Sequence, residues 1–590
     1  MVLSFTFQQA ARLATQALLR LNCWLTVSLL LLGQQAAAQA WQQAVVAAGT
    51  GGEYRVASTA VDAAGNVYIA GSFSGTVQFG SSVLASPTST FGTNAFVAKW
   101  SSATKAFVWG QQVKGSGSDY ATAVAVQGNA VYVAGYFYSS TATLGSISLT
   151  NVGSFTSDIF VAKLVDAGTS ASFVWAQQGS SSGSEVEAGL VVNGTNVYVA
   201  GSFEGQVSFG ATVLTSRGGA DIFVAKLTDA GSTGSFSWAQ AAGSIAPDAA
   251  YALAAQGTSL YLTGYFRGPT AGFGPVTITN TSTPSTYDAF VAKLVDAGST
   301  SSFIWAQPAG GTARDIGYSV AVSGTSVYVA GIFEAPTASF GGLTLTASTT
   351  TNTDAFVAKL TDAGSTSSFT WVRQVSGPSY EMPMGLAASG SAVYMAGYFG
   401  EPTATFGATT LTSLGGNDLF VARLTDVGST GSYSWVQQAG GTSTDFLSSM
   451  VVLGANVYVG GSLTLPATFG SQQVRGTSIT TSALTGYWAQ LTDTSQPLAT
   501  VPPTAADSEL SLYPNPAHAA ATACIAAPAG NTQATLTVIG VLGQIIRAQR
   551  VALSTTPIEA PVLLQGLAPG LYRVQVQAGD WHSSQTLVVK

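Results

Sequence analysis

Apolar and polar residues alternate in short runs through most of this chain, and one set of runs returns seven times at a step of about 65 residues. A Val-Tyr-Val-Ala-Gly-like run ends at Gly71, Gly135, Gly201, Gly264, Gly331, Gly397 and Gly461. A second run, close to Phe-Val-Ala-Lys, opens at Phe96, Phe160, Phe223, Phe290, Phe356 and Phe420, with Tyr487 as the seventh member. Tryptophan gives a third series: Trp41, Trp109, Trp175, Trp238, Trp305, Trp371 and Trp435. Alternation at period two, punctuated by Gly, Asn and Asp, predicts strands and tight turns, and no helical period longer than a few residues interrupts it. In the second repeat the strands fall at 121–126, 131–137, 158–165 and 172–177, with a ribbon at 142–150. Gly128-Asn129 and Asp166-Ala167-Gly168 supply the turns. Four strands with an added ribbon make one antiparallel sheet per repeat.

Such a unit cannot bury its apolar face alone, so the sheets must stack. The two ends of the array argue for closure. The seventh repeat stops at Asp493 without a tryptophan strand, while Trp41-Gln42-Gln43 stands alone ahead of the first. The N-terminal strand is therefore expected to complete the seventh sheet. The predicted fold is all-β, a seven-bladed β-propeller over 41–493 followed by a small Ig-like β-sandwich. Residues 494–508, with Pro497, Pro502 and Pro503, read as a linker. Beyond it strands are predicted at 535–539, 544–551, 561–564, 571–577 and 585–590.

An acid ahead of a Val/Leu-x-Val strand, Gly-Asn-Val-Tyr-Val-Ala-Gly and Asp-x-Phe-Val-Ala-Lys resemble the repeat of the seven-bladed propeller family of bacterial secreted proteins. The first repeat departs from it at Asn94 and Ser101-Ser102-Ala103, the seventh at Thr485 and Gln490. The tail carries Tyr513-Pro514-Asn515-Pro516, Val541-Leu542-Gly543-Gln544, Leu567-Ala568-Pro569-Gly570-Leu571-Tyr572 and Leu587-Val588-Val589-Lys590. In that order these resemble the C-terminal type A sorting domain of the type IX secretion system of Bacteroidetes. The resemblance implies that residues 509–590 engage the type IX secretion machinery. It also implies export across the outer membrane, usual removal of the tail, and release or attachment to surface glycolipid, hence a secreted or outer-surface location.

Charge narrows the partners. Only 8% of residues are charged and the net charge is −7, with no basic run, so nothing attracts nucleic acid or an anionic membrane. Arg12 and Arg20, the apolar stretch 21–32 and the small residues Ala36, Ala37, Ala38 and Ala40 read as a signal peptide over 1–40, cleaved after Ala40. No transmembrane segment is expected after that cleavage, and the mature protein is expected to be a monomer. Cys23 falls in the signal, which leaves Cys524 as a single thiol and no internal disulfide.

Both histidines, His518 and His582, lie in the tail, so the propeller has no histidine for a triad, a zinc site or a general base. Its repeated chemistry is acidic. Glu53, Asp119, Glu185, Asp248, Asp315, Glu381 and Asp445 precede the first strand of each repeat and predict a ring. A second series opens the phenylalanine strand (Asp158, Asp221, Asp288, Asp354, Asp418), and a third sits in the turn after it (Asp166, Asp229, Asp296, Asp362, Asp426, Asp493). Catalysis by two carboxylates needs unlike environments, and a repeated residue has like ones. The ring is thus expected to be structural, capping loop N–H groups or pairing with Lys99, Lys163, Lys226, Lys293, Lys359 and Arg423. No catalytic residue, metal or cofactor is assigned. A discriminating ligand would be read by positions that differ between repeats, which points to Tyr136, Tyr138, Glu204, Tyr265, Arg267, Glu334 and Tyr398. The expected function is a noncatalytic binding or structural module with a glycan or protein ligand. The alternative is a glycoside hydrolase-like enzyme using two blade carboxylates.

Overall fold

A computed structural model of the chain describes residues 39–495 apart from 51, 88–91, 154, 182, 281–285, 335, 351 and 476–483. In the tail it describes 510–513, 517, 521–525, 532–539, 545–553, 558–565, 567, 570–578 and 581–589. The signal region before Gln39, nearly all of the linker and most of the first two tail motifs lie outside the described residues. The chain divides into two units, 1–498 and 499–590. Among the described residues every regular element is a strand.

In the first unit the pairings trace seven four-stranded antiparallel sheets, the β-propeller arrangement. The second repeat shows the order: an inner strand Asp119–Gln127, a tyrosine strand Ala130–Phe137, a phenylalanine strand Asp158–Asp166 and a tryptophan strand Ala171–Ser181. The two middle strands are buried on both faces, Val131 to Ala134 and Asp158 to Leu164 alike, because neighbouring sheets cover them on either side. The apolar cores accordingly lie between sheets. One joins Tyr68 and Trp109 of the first repeat to Val131 and Leu164 of the second.

Each inner strand carries a one-residue bulge, at Ala57, Thr122, Ala188, Tyr251, Tyr318, Met384 and Ser448. The bulge explains the repeated glycine. A Cβ on Gly71, Gly135, Gly264, Gly331, Gly397 or Gly461 would collide with an inner-strand carbonyl oxygen, that of Tyr120 for Gly135. Inner strands of adjacent repeats are neighbours, the last and the first included. They enclose an axial cavity of about 200 Å³ lined by residues of all seven repeats.

The closure expected from the ends is present. Strand Gln39–Val46 pairs with Thr485–Asp493 from Gln39 opposite Asp493 to Val46 opposite Tyr487. Two expectations need correction. The ribbon does not join its own sheet: Thr141–Leu144 pairs with the tryptophan strand Ala106–Lys114 of the preceding repeat, and the pattern continues around the ring. The ribbon follows the tyrosine strand, whose two edges are already bonded, so the free edge is the neighbour's tryptophan strand. Trp41, moreover, is not the seventh member of the tryptophan series. Register sets Gln43 opposite Gln490, the place Trp175 holds opposite Lys163. Trp41 fills the slot of Phe236 two residues earlier in the strand. It packs edge-on against Phe469 at 5.1 Å, as Phe236 packs against Phe209 at 5.2 Å.

The tail unit has two antiparallel sheets. Leu510–Tyr513, Ala521–Ile525 and Ile558–Val562 form one; Gln533–Ile539, Ile545–Ala552, Gly570–Ala578 and Trp581–Val589 form the other. Leu510, Ile525, Leu536, Val574 and Leu587 are buried in one core between them, a β-sandwich.

Candidate functional site

Two ends of each inter-sheet seam concentrate the repeated charges. At the turn end, the lysine pairs with the third-series acid of the next repeat, not with the ring acid. Lys226 Nζ lies 2.7 Å from Asp296 Oδ2. The same carboxylate accepts the Tyr198 hydroxyl at 2.7 Å, the Trp238 indole N–H at 3.0 Å and the Gly298 N–H at 2.9 Å. Equivalent clusters form around Asp166, Asp229, Asp362 and Asp426, and Arg423 with Tyr394 serves Asp493. Burial opposes ionisation of Asp296, but the Lys226 and Tyr198 hydrogen bonds outweigh it and hold its pKa below the usual carboxylate value.

At the other end, where inner strands begin, ring acids lie fully buried. Asp119 accepts the Ser139 N–H and hydroxyl at 3.3 and 2.9 Å. Asp248 accepts N–H groups of Ser244 and Arg267 at 2.5 and 2.8 Å. Gly311 caps Asp315 at 2.7 Å, and Gly441 and Thr464 cap Asp445 at 2.7 and 3.1 Å. Each ring acid except Asp119, whose counterpart is Asn94, also meets the second-series acid of the preceding repeat. The five pairs are Asp158 with Glu185, Asp221 with Asp248, Asp288 with Asp315, Asp354 with Glu381, and Asp418 with Asp445. Burial, then the facing Asp354, pushes Glu381 up to about 9, and burial with the charges of Asp288 and Glu334 pushes Asp315 to about 9 against the opposing N–H bonds of Gly311 and Glu334. Glu53 does not belong to this ring. The position equivalent to Asp119 is Tyr54, since both pair with the last residue of the tyrosine strand, and Glu53 is half-exposed beside Arg55 at 3.1 Å. A one-residue offset in the first repeat's turn accounts for the difference.

The variable residues decorate this same end. Tyr265 meets Tyr287 at 4.7 Å and Tyr251 at 5.7 Å, and Tyr251 stacks on Tyr318 at 5.4 Å with the rings within 9° of parallel. Arg267 lies over Tyr287 at 5.3 Å, and Arg314 pairs with Glu334 at 2.9 Å. Tyr398, on the next repeat, packs edge-on against Phe446 at 5.2 Å. The structure thus brings Tyr265, Arg267 and Glu334 into one region of the fourth and fifth repeats. Tyr136 and Tyr138 form a separate cluster with Tyr120 on the second repeat. Glu204 stands apart, its N–H bonded to the Ser184 carbonyl.

Sequence reading missed Tyr251, Tyr287, Tyr318 and Arg314. Tyr251 and Tyr318 are bulge residues and line the axial cavity, where other repeats place Ala57, Thr122, Ala188, Met384 and Ser448. A bulge adds one residue and so turns aside a side chain that strict alternation assigns to the opposite face. The available signal was a tyrosine three residues after the ring acid in these two repeats. Burial raises the pKa of Tyr318 to about 12, so its phenol stays neutral and able to donate.

Comparison with known proteins adds the tail's identity. Residues 511–590 match the secretion system C-terminal sorting domain family. That domain marks proteins delivered by the type IX system to the cell surface or extracellular space. No curated protein sequence matches the chain. Among solved structures, a quinohemoprotein alcohol dehydrogenase from Pseudomonas putida HK5 is similar at 9% identity and a TM-score of 0.33, with 77% of each chain covered. The phage phi92 endosialidase is similar at 10% identity and a TM-score of 0.32, over 92% of this chain and 87% of its own. The extracellular domain of a putative one-component system from B. thetaiotaomicron is similar at 8% identity and a TM-score of 0.14, over 93% and 100%.

Proposed function

We propose that this exported propeller is a noncatalytic binding module whose ligand, a glycan, seats at the mouth of the axial cavity on the tyrosines of the fourth and fifth repeats. The Tyr251–Tyr318 stack carries this reading. A repeated scaffold puts small residues at most bulge positions, and two adjacent repeats replace them with parallel rings, Tyr251 being 37% exposed. Aromatic faces stack on the apolar faces of sugar rings, while neutral phenols and the side chains of Arg267, Arg314 and Glu334 hydrogen-bond hydroxyls. Catalysis by ring carboxylates fits less well, because Asp119, Glu185, Asp248, Asp315, Glu381 and Asp445 are at most 1% exposed.

The test is calorimetry and affinity electrophoresis of the purified protein against a panel of soluble polysaccharides, with product analysis of each mixture. Binding without hydrolysis is expected. Tyr251→Ala and Tyr318→Ala should each weaken it about tenfold, the loss of one stacking partner at roughly 1.4 kcal/mol. Substituting Tyr136 and Tyr138 should leave it intact. Hydrolysis abolished by Asp315→Asn would instead establish an enzyme.

A further inference from the structure

Five seams bury two carboxyl groups against each other, and the groups around them decide their ionisation. At Gly310 an added Cβ would stand 2.7 Å from Asp288 Oδ1 and 2.9 Å from Asp315 Oδ2, so both side chains converge on one point. Gly243 stands in the same relation to Asp221 and Asp248, at 2.6 and 2.9 Å. What surrounds the pairs is donors. Asp354 accepts the Ser348 N–H and hydroxyl at 2.6 Å and the Gln374 amide at 2.5 Å. Asp418 accepts the Leu414 N–H and, at 3.1 Å, the Gln438 amide. The charged and titratable neighbours are few: Arg217 faces Asp221 and Asp248, Glu334 faces Asp315, and the phenols of the half-buried Tyr265 and the buried Tyr487 face Asp248 and Asp445. Yet both oxygens of Glu381, and Oδ1 of Asp221 and Asp418, are buried without a donor among the described residues.

A cation between the carboxylates would need further oxygen ligands, where these sites offer N–H groups. Two bare carboxylates in a dry seam would repel. The missing donor is a proton. The first seam makes the same point with a different residue. The Asp119 N–H donates to the Thr93 carbonyl at 2.9 Å as the Asp315 N–H donates to Tyr287 at 2.7 Å, which puts Asn94 where Asp288 stands. An amide is the permanently neutral isostere of a protonated carboxyl.

We propose that each of the five carboxyl pairs shares a single proton, so that the seams are closed by acid-to-carboxylate hydrogen bonds and loosen in alkali. The sign follows from linkage. Asp158, Glu185, Asp221, Asp248, Asp315, Glu381, Asp418 and Asp445 titrate higher in the fold than in the unfolded chain, where such acids titrate near 4. Their stabilisation is complete below that value and is lost as pH rises through the folded range, about 7 at Asp445 to about 9 at Glu381.

The test is thermal unfolding of the full-length protein by tryptophan fluorescence between about pH 5 and pH 10, with two variants. The parent Tm should fall steadily toward alkaline pH. Glu381→Gln should raise it by a few degrees near pH 9 and leave it unchanged near pH 5. Asn94→Asp, which creates a sixth pair, should lower it near pH 9 alone. Equal shifts at both pH values would overturn the proposal, as would stabilisation by calcium that a chelator reverses. If Glu381→Gln fails to fold, Asn94→Asp and the infrared carbonyl band of protonated carboxyls still decide: present at neutral pH supports the shared proton, absent refutes it.

Discussion

Among the described residues, six seams between sheets hold a buried ion pair at the turn end, and the seventh, between the last repeat and the first, holds none. Where Lys226, Trp238 and Asp296 stand, the seventh has Gln490, Gln43 and, counting from the phenylalanine strand, Ser102. Gln43 simply donates to Gln490 at 3.2 Å. At the opposite end Tyr54 and Thr485 replace the acid pair, and the Tyr54 ring occupies the space beside Gly486. In exchange the seventh seam buries Trp100 against Trp488 at 4.6 Å. The departures at Tyr54 and Ser102 in the first repeat and at Thr485 and Gln490 in the seventh are therefore two halves of the same contacts. A buried ion pair tolerates the loss of both partners and penalises the loss of one, so Gln490 and Ser102 make sense together and not singly.

The largest break in this comparison is removal of the strand that makes the seventh sheet. Deleting residues 41–46 exposes the edge of Thr485–Asp493 and strips Trp41 from its slot over Gly470. The loss should exceed about 5 kcal/mol, seen as a large fall in Tm, since a buried indole alone contributes about 3–5 kcal/mol. A Tm within a degree or two of the parent would mean that the strand does not hold the ring closed.

Next in size is the removal of one partner from a charged seam. Asp296→Ala leaves Lys226, 5% exposed, without its carboxylate, and should cost about 3–5 kcal/mol in denaturant unfolding. Ser102→Ala, at the corresponding site of the seventh seam, should stay within about 0.5 kcal/mol. Comparable losses at both sites would erase the distinction between the seams.

How far the sequence showed this depends on the element. Period and turn residues located the sheets, because alternation is local and each strand is bounded by its own Gly or Asp. Closure was legible too, from one strand lacking at one end and one spare at the other. Partnership between repeats was not. Nothing in the spacing of Lys226 and Asp296, 70 residues apart, says that a lysine reaches the next repeat's turn while a ring acid meets the previous repeat's acid. Trp41 was misplaced because an aromatic slot two residues away accepts either Trp or Phe. Tyr251 and Tyr318 were passed over because the bulge breaks the alternation on which inward and outward are assigned.

Acid should discriminate the two kinds of seam in the sense opposite to alkali. Asp166, Asp229, Asp296, Asp362 and Asp426 titrate lower in the fold than unfolded. Their contribution is present above the unfolded value near 4 and disappears as pH falls through the lowered folded values. Tm should thus fall steeply below about pH 4, and replacing Lys226 by Met should flatten that fall by freeing Asp296 of its partner. An acid limb unchanged by that substitution would show that other carboxylates govern it.

The smallest effect expected is also the most direct transplant between the two regions. Gln490→Lys combined with Ser102→Asp builds the missing ion pair into the seventh seam, with Tyr458 already in the place of Tyr198 beside it. Desolvating two charges offsets most of their attraction, so the double variant should lie within about 1 kcal/mol of the parent, while Gln490→Lys alone should be clearly worse. The coupling between the two substitutions is what a double-mutant cycle reads. A coupling near zero would mean that position 102 and position 490 do not meet, and the aromatic packing of Trp100 on Trp488 would then have moved the two sheets out of the register that the other six seams share.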